Sequence, residues 1–304
     1  MLEAGPGFVR EAQESDDEGL EGAGKGFMNR TQMSPQDKTI RRRLRWPLAV
    51  CVLLGTLALG GSQTASGEGQ ILIRGADSGS HLRVTMDGDH IVVNGYMSAD
   101  EPSGCGFTHF RTTAVCSASS AGSIVFEMGP AGDKVEIIDP MPLPVTVYMG
   151  DGSDKFIGNS EPDTCYPQGA RRNRCYGGAG NDICITGPRN SDCVGDGGDD
   201  YAQFSTGSDG CWGDFSPVSD DPRTGTPGND VCMMGSGKDG AHGGPGDDAL
   251  YEGSGSGKLY GQGGDDRLYG GGGADKLYGG GGRDYCNGQG ATGKSIGCET
   301  GPGH

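Results

Sequence analysis

Between residues 225 and 287 an aspartate stands at every ninth position but one: Asp230, Asp239, Asp248, Asp266, Asp275 and Asp284, with Gly257 in the remaining place. Each follows a run rich in glycine, as in GGPGDD, GQGGDD and GGGGAD. Carboxylates beside glycine carbonyls make an irregular, all-oxygen donor set. Such a set suits calcium better than zinc, which takes nitrogen and sulfur, or strictly octahedral magnesium.

The register defines seven gapless nonapeptides: GTPGNDVCM (225–233), MGSGKDGAH, GGPGDDALY, EGSGSGKLY, GQGGDDRLY, GGGGADKLY and GGGGRDYCN (279–287). Upstream it holds for GGAGNDICI (177–185), a degenerate TGPRNSDCV, GDGGDDYAQ and FSTGSDGCW (204–212), with a further copy at MGDGSDKFI (149–157). These add Asp182, Asp200, Asp209 and Asp154 as candidate ligands, while Ser191 occupies the sixth position of the degenerate unit. Two stretches break the series, 158–176 and 213–224, and read as insertions.

The elements that position the aspartates follow from the same spacing. Glycine at the first, second and fourth positions permits positive φ, and the tripeptides ALY, KLY and RLY suit short strands. Leu250, Leu259, Leu268 and Leu277 share the eighth position, a one-sided pattern with leucine pointing inward. Four-glycine runs and sparse proline exclude collagen.

These units resemble the GGxGxDxUx repeat of the RTX (hemolysin-type) calcium-binding family over about 149–287. The resemblance implies an all-β fold, a right-handed parallel β-roll (a β-solenoid), in which six residues form a calcium-holding turn, three form a strand and two nonapeptides make one coil. It also implies several calcium ions per chain.

With eighteen residues per coil, sixth-position residues eighteen apart stack at the strand spacing, where two carboxylates repel by about 3–4 kcal/mol at an effective dielectric near 20. One leucine per nine glycine-rich residues is too thin a core to offset this and the ordering of the backbone. A cation between the carboxylates would contribute directly to folding. One side of the roll carries an unbroken row, Asp230, Asp248, Asp266 and Asp284; the other carries Asp239, Gly257 and Asp275. The expectations are that Asp248→Ala or Asp266→Ala harms calcium-induced folding more than Asp275→Ala, and that Gly257→Asp strengthens it.

Eleven cysteines occur, and Cys175, Cys184, Cys193, Cys211, Cys232 and Cys286 fall in the leucine slot. With no CxxC pair and ten cysteines after residue 66, structural disulfides are the expectation. Spacing does not fix connectivity: Cys105 with Cys116 and Cys286 with Cys298 are the local pairs, and Cys193 with Cys211 or Cys175 with Cys193 would bridge along the stack. Tyr251, Tyr260, Tyr269 and Tyr278 share the ninth position and read as sheet-stabilising ladders, with a glycan- or cell-surface-binding stripe as the alternative. Arg171, Arg172 and Arg174 read as pairing with the acidic roll.

The N-terminal part is organised differently. RRRLR (41–45), an apolar run (46–60) and small polar residues form the three-part pattern of a secretory signal at 41–66, after a 40-residue extension whose length raises Met28 or Met33 as the start. The apolar run is too short to favour a spanning helix, so no membrane span is expected in the mature form. Residues 1–66 carry eight acidic and eight basic side chains, so the net charge of -17 lies in 67–304. Such acidity disfavours nucleic acid and anionic membranes and favours cations. Residues 67–148 show short alternating segments, such as LRVTM and SIVFEM, and read as an irregular β-rich region that caps or continues the solenoid; 288–304 reads as a C-terminal cap. No HExxH and no long apolar segment follows residue 66. The sequence therefore reads as an extracellular or envelope-associated calcium-binding protein with a structural or adhesive role and no catalysis; the rival is the accessory repeat region of a secreted hydrolase or toxin.

Overall fold

The computed structural model describes residues 69–98, 105–108, 112–169, 171–214, 226–289 and 293–299. The N-terminal extension, the signal segment and residues 215–224 of the second break lie outside them. Among the described residues every element is a strand. Tripeptides and slightly longer strands stack in parallel into a β-solenoid with two main faces.

The first face is a ten-stranded parallel sheet running from Gln70–Arg74 through Ser123–Glu127 and Val145–Tyr148 to Tyr285–Asn287. The second contains the alternate strands, from His81–Asp87 and Lys134–Ile137 to Lys276–Gly281 and Lys294–Ile296. Its parallel stack ends on an antiparallel meander, in which His90–Asn94 pairs with His81–Asp87 and Thr113–Ser117 with His90–Asn94 and Cys105–Thr108. That meander covers the edge that a growing parallel stack would otherwise present. Coils therefore extend upstream of residue 149.

Register pairs residues eighteen apart wherever the repeats are gapless: Leu250 with Leu268, and Leu259 with Leu277. All four leucines are fully buried between the two sheets. The pattern persists without leucine, because Phe156, Cys175, Cys193, Cys211 and Ala241 occupy the same inward slot on the second face.

Residues 158–176 are not an insertion. Thr164–Tyr166 joins the first sheet and Asn173–Ala179 the second, each in parallel register with its neighbours, so the segment is one full coil. The spacing was hidden because cysteine replaces leucine in GNSEPDTCY (158–166) and the following unit has one extra residue.

The described cysteines form five bridges: Cys105–Cys116, Cys165–Cys175, Cys184–Cys193, Cys211–Cys232 and Cys286–Cys298. The two local pairs read from the sequence are among them, whereas the pairings of Cys193 with Cys211 or Cys175 are not. Stacked cysteines point the same way, into the core, so each meets the cysteine on the opposite sheet, with Cα atoms 6.2 Å apart for Cys184–Cys193. That lies within the usual span of a disulfide.

Candidate metal centres

The two turns of each coil differ. On the first side the chain leaves the second sheet and enters the first, at 177–182, 195–200, 243–248, 261–266 and 279–284. Its sixth positions form a continuous ladder: each carboxylate Oδ1 accepts the backbone N–H of the sixth residue one coil earlier. The bonds are Asp163 to Asp182 (2.7 Å), Asp182 to Asp200 (2.7 Å), Asp200 to Asp230 (2.8 Å), Asp230 to Asp248 (2.8 Å), Asp248 to Asp266 (2.9 Å) and Asp266 to Asp284 (3.0 Å), donor first. Asp284 in turn donates to Glu299 of the C-terminal segment (2.6 Å).

This leaves the second carboxylate oxygen. Oδ2 of Asp182, Asp200, Asp230, Asp248 and Asp266 is buried without a hydrogen bond. Each Oδ2 faces the glycine that opens its turn, namely Gly177, Gly195, Gly213, Gly243 and Gly261 in order. A Cβ at Gly261 would lie 2.1 Å from Asp266 Oδ2 and 2.6 Å from the Gly279 carbonyl oxygen; at Gly213 the corresponding distances are 2.0 Å to Asp230 Oδ2 and 2.6 Å to the Gly243 carbonyl. The empty Cβ volume is thus an oxygen-lined cradle. First-position glycines do not have positive φ; most second- and fourth-position residues do, including Gly244, Gly246 and Gly264. Space, not backbone conformation, requires glycine at the first position.

Burial pushes these carboxyls up: Asp230 and Asp248 to about 8, Asp266 to about 7, and Asp182 and Asp200 well above the ordinary range. Neighbouring carboxylates add to the rise and backbone amides oppose it. Two contributors escaped the repeat pattern, Asp196 because it stands at the second position, where glycine is usual, and Asp214 because it lies in the second break: Asp196 raises Asp182, and Asp214 raises Asp200, Asp230 and Asp248. Asp163 was missed with its coil.

On the second side the ladder runs from Ser80 through Asp133 and Asp154 to Asn173, and again from Ser191 through Asp209 to Asp239. The unit MGPAGDKVE (128–136) matches MGDGSDKFI (149–157) closely enough to have revealed Asp133. Here the first position is mostly apolar and faces the core, as at Met128, Met149, Phe204 and Met234, with the buried Thr186 between them. The turns instead add a short parallel sheet of Thr206–Gly207, Ser236–Gly237, Ser254–Gly255 and Gly272–Gly273. Asp154, Asp209 and Asp239 therefore tie coils together but lack the glycine cradle. Asp275 retains it, since a Cβ at Gly270 would lie 2.7 Å from its Oδ2.

Gly257, where the sequence suggested that an aspartate would help, is already served. A Cβ there would fall 2.3 Å from Glu252 Cγ and 2.4 Å from its Oε1. Gly257→Asp would collide with Glu252, so the expected gain is corrected to a loss. Burial pushes Glu252 up to about 8, with Asp239 and Asp275 adding to the rise.

Among the described residues no three Asp, Glu, His or Cys side chains form a metal-holding group. The donor set is one or two carboxylates from adjacent coils, completed by backbone carbonyls, which fits a hard oxygen-seeking cation. The family described as the RTX calcium-binding nonapeptide repeat matches residues 170–188 and 251–286, in four copies. These are RTX repeats. The RTX assignment carries calcium binding with it, and the chain is a calcium-binding repeat protein built as a β-solenoid. No curated protein and no solved structure matches the chain.

Other sequence candidates have settled places. Arg172 binds Asp192 at 2.6 Å and Arg174 lies 3.5 Å from it, pairing within the chain. Tyr260 stacks on Tyr278 at 4.7 Å and on His242 at 4.6 Å, and Tyr251 stacks on Tyr269 at 4.8 Å. Ring faces are covered by one another and leave mainly edges to solvent, which disfavours the sugar-stacking alternative.

Proposed function

We propose that this RTX solenoid is an exported protein whose first-side aspartates hold calcium ions and which serves a structural or adhesive role without catalysis. The observation that carries the reading is the row of buried, unpartnered Oδ2 atoms facing glycine cradles. A buried carboxylate with one oxygen unpartnered is costly, and a row of them is tolerable only when neutralised. When bound, calcium supplies that neutralising charge. Asp182, Asp200, Asp230, Asp248, Asp266 and Asp284 would hold it together with first-glycine carbonyls. The ladder amides fix Oδ1, so that Oδ2 is pre-aimed into the turn.

Export is supported by the five bridges, which require an oxidising compartment, and by the signal-like pattern at 41–66. Among the described residues no helix is long and apolar enough to cross a membrane. A cell-surface or glycan partner remains part of the adhesive reading, met through sheet faces and not through the calcium turns. Isothermal titration of the chelated chain with calcium and, separately, magnesium tests the site. Several calcium ions per chain with much weaker magnesium binding is the expected result; equal binding of the two would overturn it. Calcium-dependent adhesion of the full chain to cells, with no hydrolytic activity on ester or peptide substrates, tests the role.

A further inference from the structure

The outer face of the second sheet carries an ordered set of cations on an acidic protein. Six of the sixteen basic side chains after residue 66 stand at the seventh position of their units in one column of this sheet: Lys134, Lys155 and Arg174, then Lys258, Lys276 and Lys294. Register makes the column continuous, with Asp192 its one carboxylate and Gly210 and Gly240 filling the interval before Lys258. Neighbours in the column are about 4.8 Å apart, and like charges directly opposite on paired strands destabilise a sheet.

The upstream cations have partners within the chain. Lys134 lies 3.1 Å from Glu136, Lys155 sits over the Tyr176 ring at 4.6 Å and Arg174 is 3.5 Å from Asp192. The downstream three do not. Lys258, Lys276 and Lys294 are exposed, and among the described residues their ammonium groups make no hydrogen bond or ion pair. No acidic residue occurs in Gly240–Pro245, Lys258–Gly263, Lys276–Gly281 or Lys294–Ile296 to offset them. Beside them Tyr260 and Tyr278 stack on each other at 4.7 Å, and their hydroxyls, able to donate and accept, make no hydrogen bond among the described residues.

The shape of this strip selects its partner. Its cations lie in single file along the solenoid axis, one per strand, at a spacing close to the length of one sugar residue. Duplex nucleic acid carries a charge every 1.7 Å or so of its axis, and single strands bind by stacking bases on ring faces, which Tyr260 and Tyr278 use on each other. A broad anionic membrane would meet Asp247 and Asp265, exposed two residues past the ends of Gly240–Pro245 and Lys258–Gly263. A narrow chain laid along the column clears that rim.

We propose that Lys258, Lys276 and Lys294 bind a linear acidic polysaccharide charged on successive sugars, with the Tyr260 and Tyr278 hydroxyls meeting its hydroxyl groups. The proposal rests on the adhesive reading and names its partner class. Contact is made through charge and hydrogen bonds, not through sugar stacking on the covered rings. Because the column is assembled by coils that calcium holds, binding follows calcium.

The test uses labelled chondroitin sulfate, followed by fluorescence anisotropy with the full chain in calcium. The triple variant Lys258→Gln, Lys276→Gln, Lys294→Gln is compared with Lys238→Gln, Arg267→Gln, Arg283→Gln, which removes the same charge outside the column. The column variant should bind at least about tenfold more weakly and the comparison variant less than about twofold, with both keeping the calcium-induced circular dichroism. Arginine at the three column positions should restore binding, and neutral dextran should not compete. Equal weakening by the two glutamine variants would overturn the proposal, as would equal affinity for oligothymidylate or phosphatidylserine vesicles. If the chain folds with calcium yet does not bind chondroitin sulfate, the column assignment fails and the calcium reading stands. If fold and binding both persist in chelator, the calcium reading fails and the column assignment stands.

Discussion

At the scale of single residues the first glycine of each first-side unit is the most constrained position, and for a reason that glycine's usual role conceals. Its backbone is ordinary, but the volume of its absent β-carbon is the oxygen-lined cradle. Gly261→Ala should therefore weaken calcium binding by at least about tenfold, about 1.4 kcal/mol, comparable to losing one good polar contact. Gly263→Ala, two residues on, has nothing within 4 Å of its new methyl and should leave the calcium titration unchanged. The aspartates carry the pH dependence. Asp230 and Asp248 lie near 8 in the folded chain against an ordinary 3.8, so the cation-free fold binds more protons than the unfolded chain between those values. Their sign is the reverse of a salt-bridged carboxylate: stability is fully present below about pH 4 and is lost as pH rises through about 8. Urea titrations in chelator should show stability falling from pH 4 to 8, while calcium flattens that dependence. Calcium binding at pH 6 should release protons, read from titrations in buffers of different ionisation enthalpy.

At the scale of the element, the ladder explains why aspartates at the same repeat position are unequal. Asp248 accepts the Asp230 amide, is accompanied above by Asp266 and faces the Gly243 cradle. Asp275 stands on a side where most first positions are apolar and carry no glycine cradle. Asp248→Ala should thus shift the calcium midpoint of folding further than Asp275→Ala, followed by circular dichroism; equal shifts would contradict two unlike sides. The cross-core bridges are the second kind of element. Replacing Cys184 and Cys193 by alanine together should lower the stability of the calcium-loaded chain by about 2–3 kcal/mol in urea, a typical value for a short closed loop. Much of this level was legible in the sequence. The aspartate and leucine spacing revealed strand positions, inward residues and the unbroken row, because period nine is imposed by the turn itself. What escaped did so where one residue type replaced another in an unchanged role. Cysteine stands for leucine in 158–176, Asn173 and Ser191 stand for aspartate, and Glu252 fills the space over Gly257 from five residues before it. Disulfide connectivity was hidden because stacked and facing cysteines have similar spacing in the chain, and only the direction of the side chain separates them.

At the scale of the whole molecule, the solenoid is held together differently at its two ends. The N-terminal coils enclose Ile71, Ile73, Leu82, Val84, Ile124, Phe126, Val135 and Ile137, an ordinary apolar core. The coils from 226 to 287 enclose little more than one leucine, alanine or cysteine per strand, beside buried carboxylates. On the proposed function, calcium is structural for the C-terminal coils and dispensable for the N-terminal ones. Chelation should open the chain from one end only. Hydrogen exchange followed by mass spectrometry, on the full chain with calcium and with chelator, tests this most directly. Peptides from 226–287 should be protected in calcium and exchange freely in chelator, while peptides from 69–98 and 112–148 stay protected in both. Equal protection of 226–287 with and without calcium would contradict a fold that its aspartates make dependent on the ion.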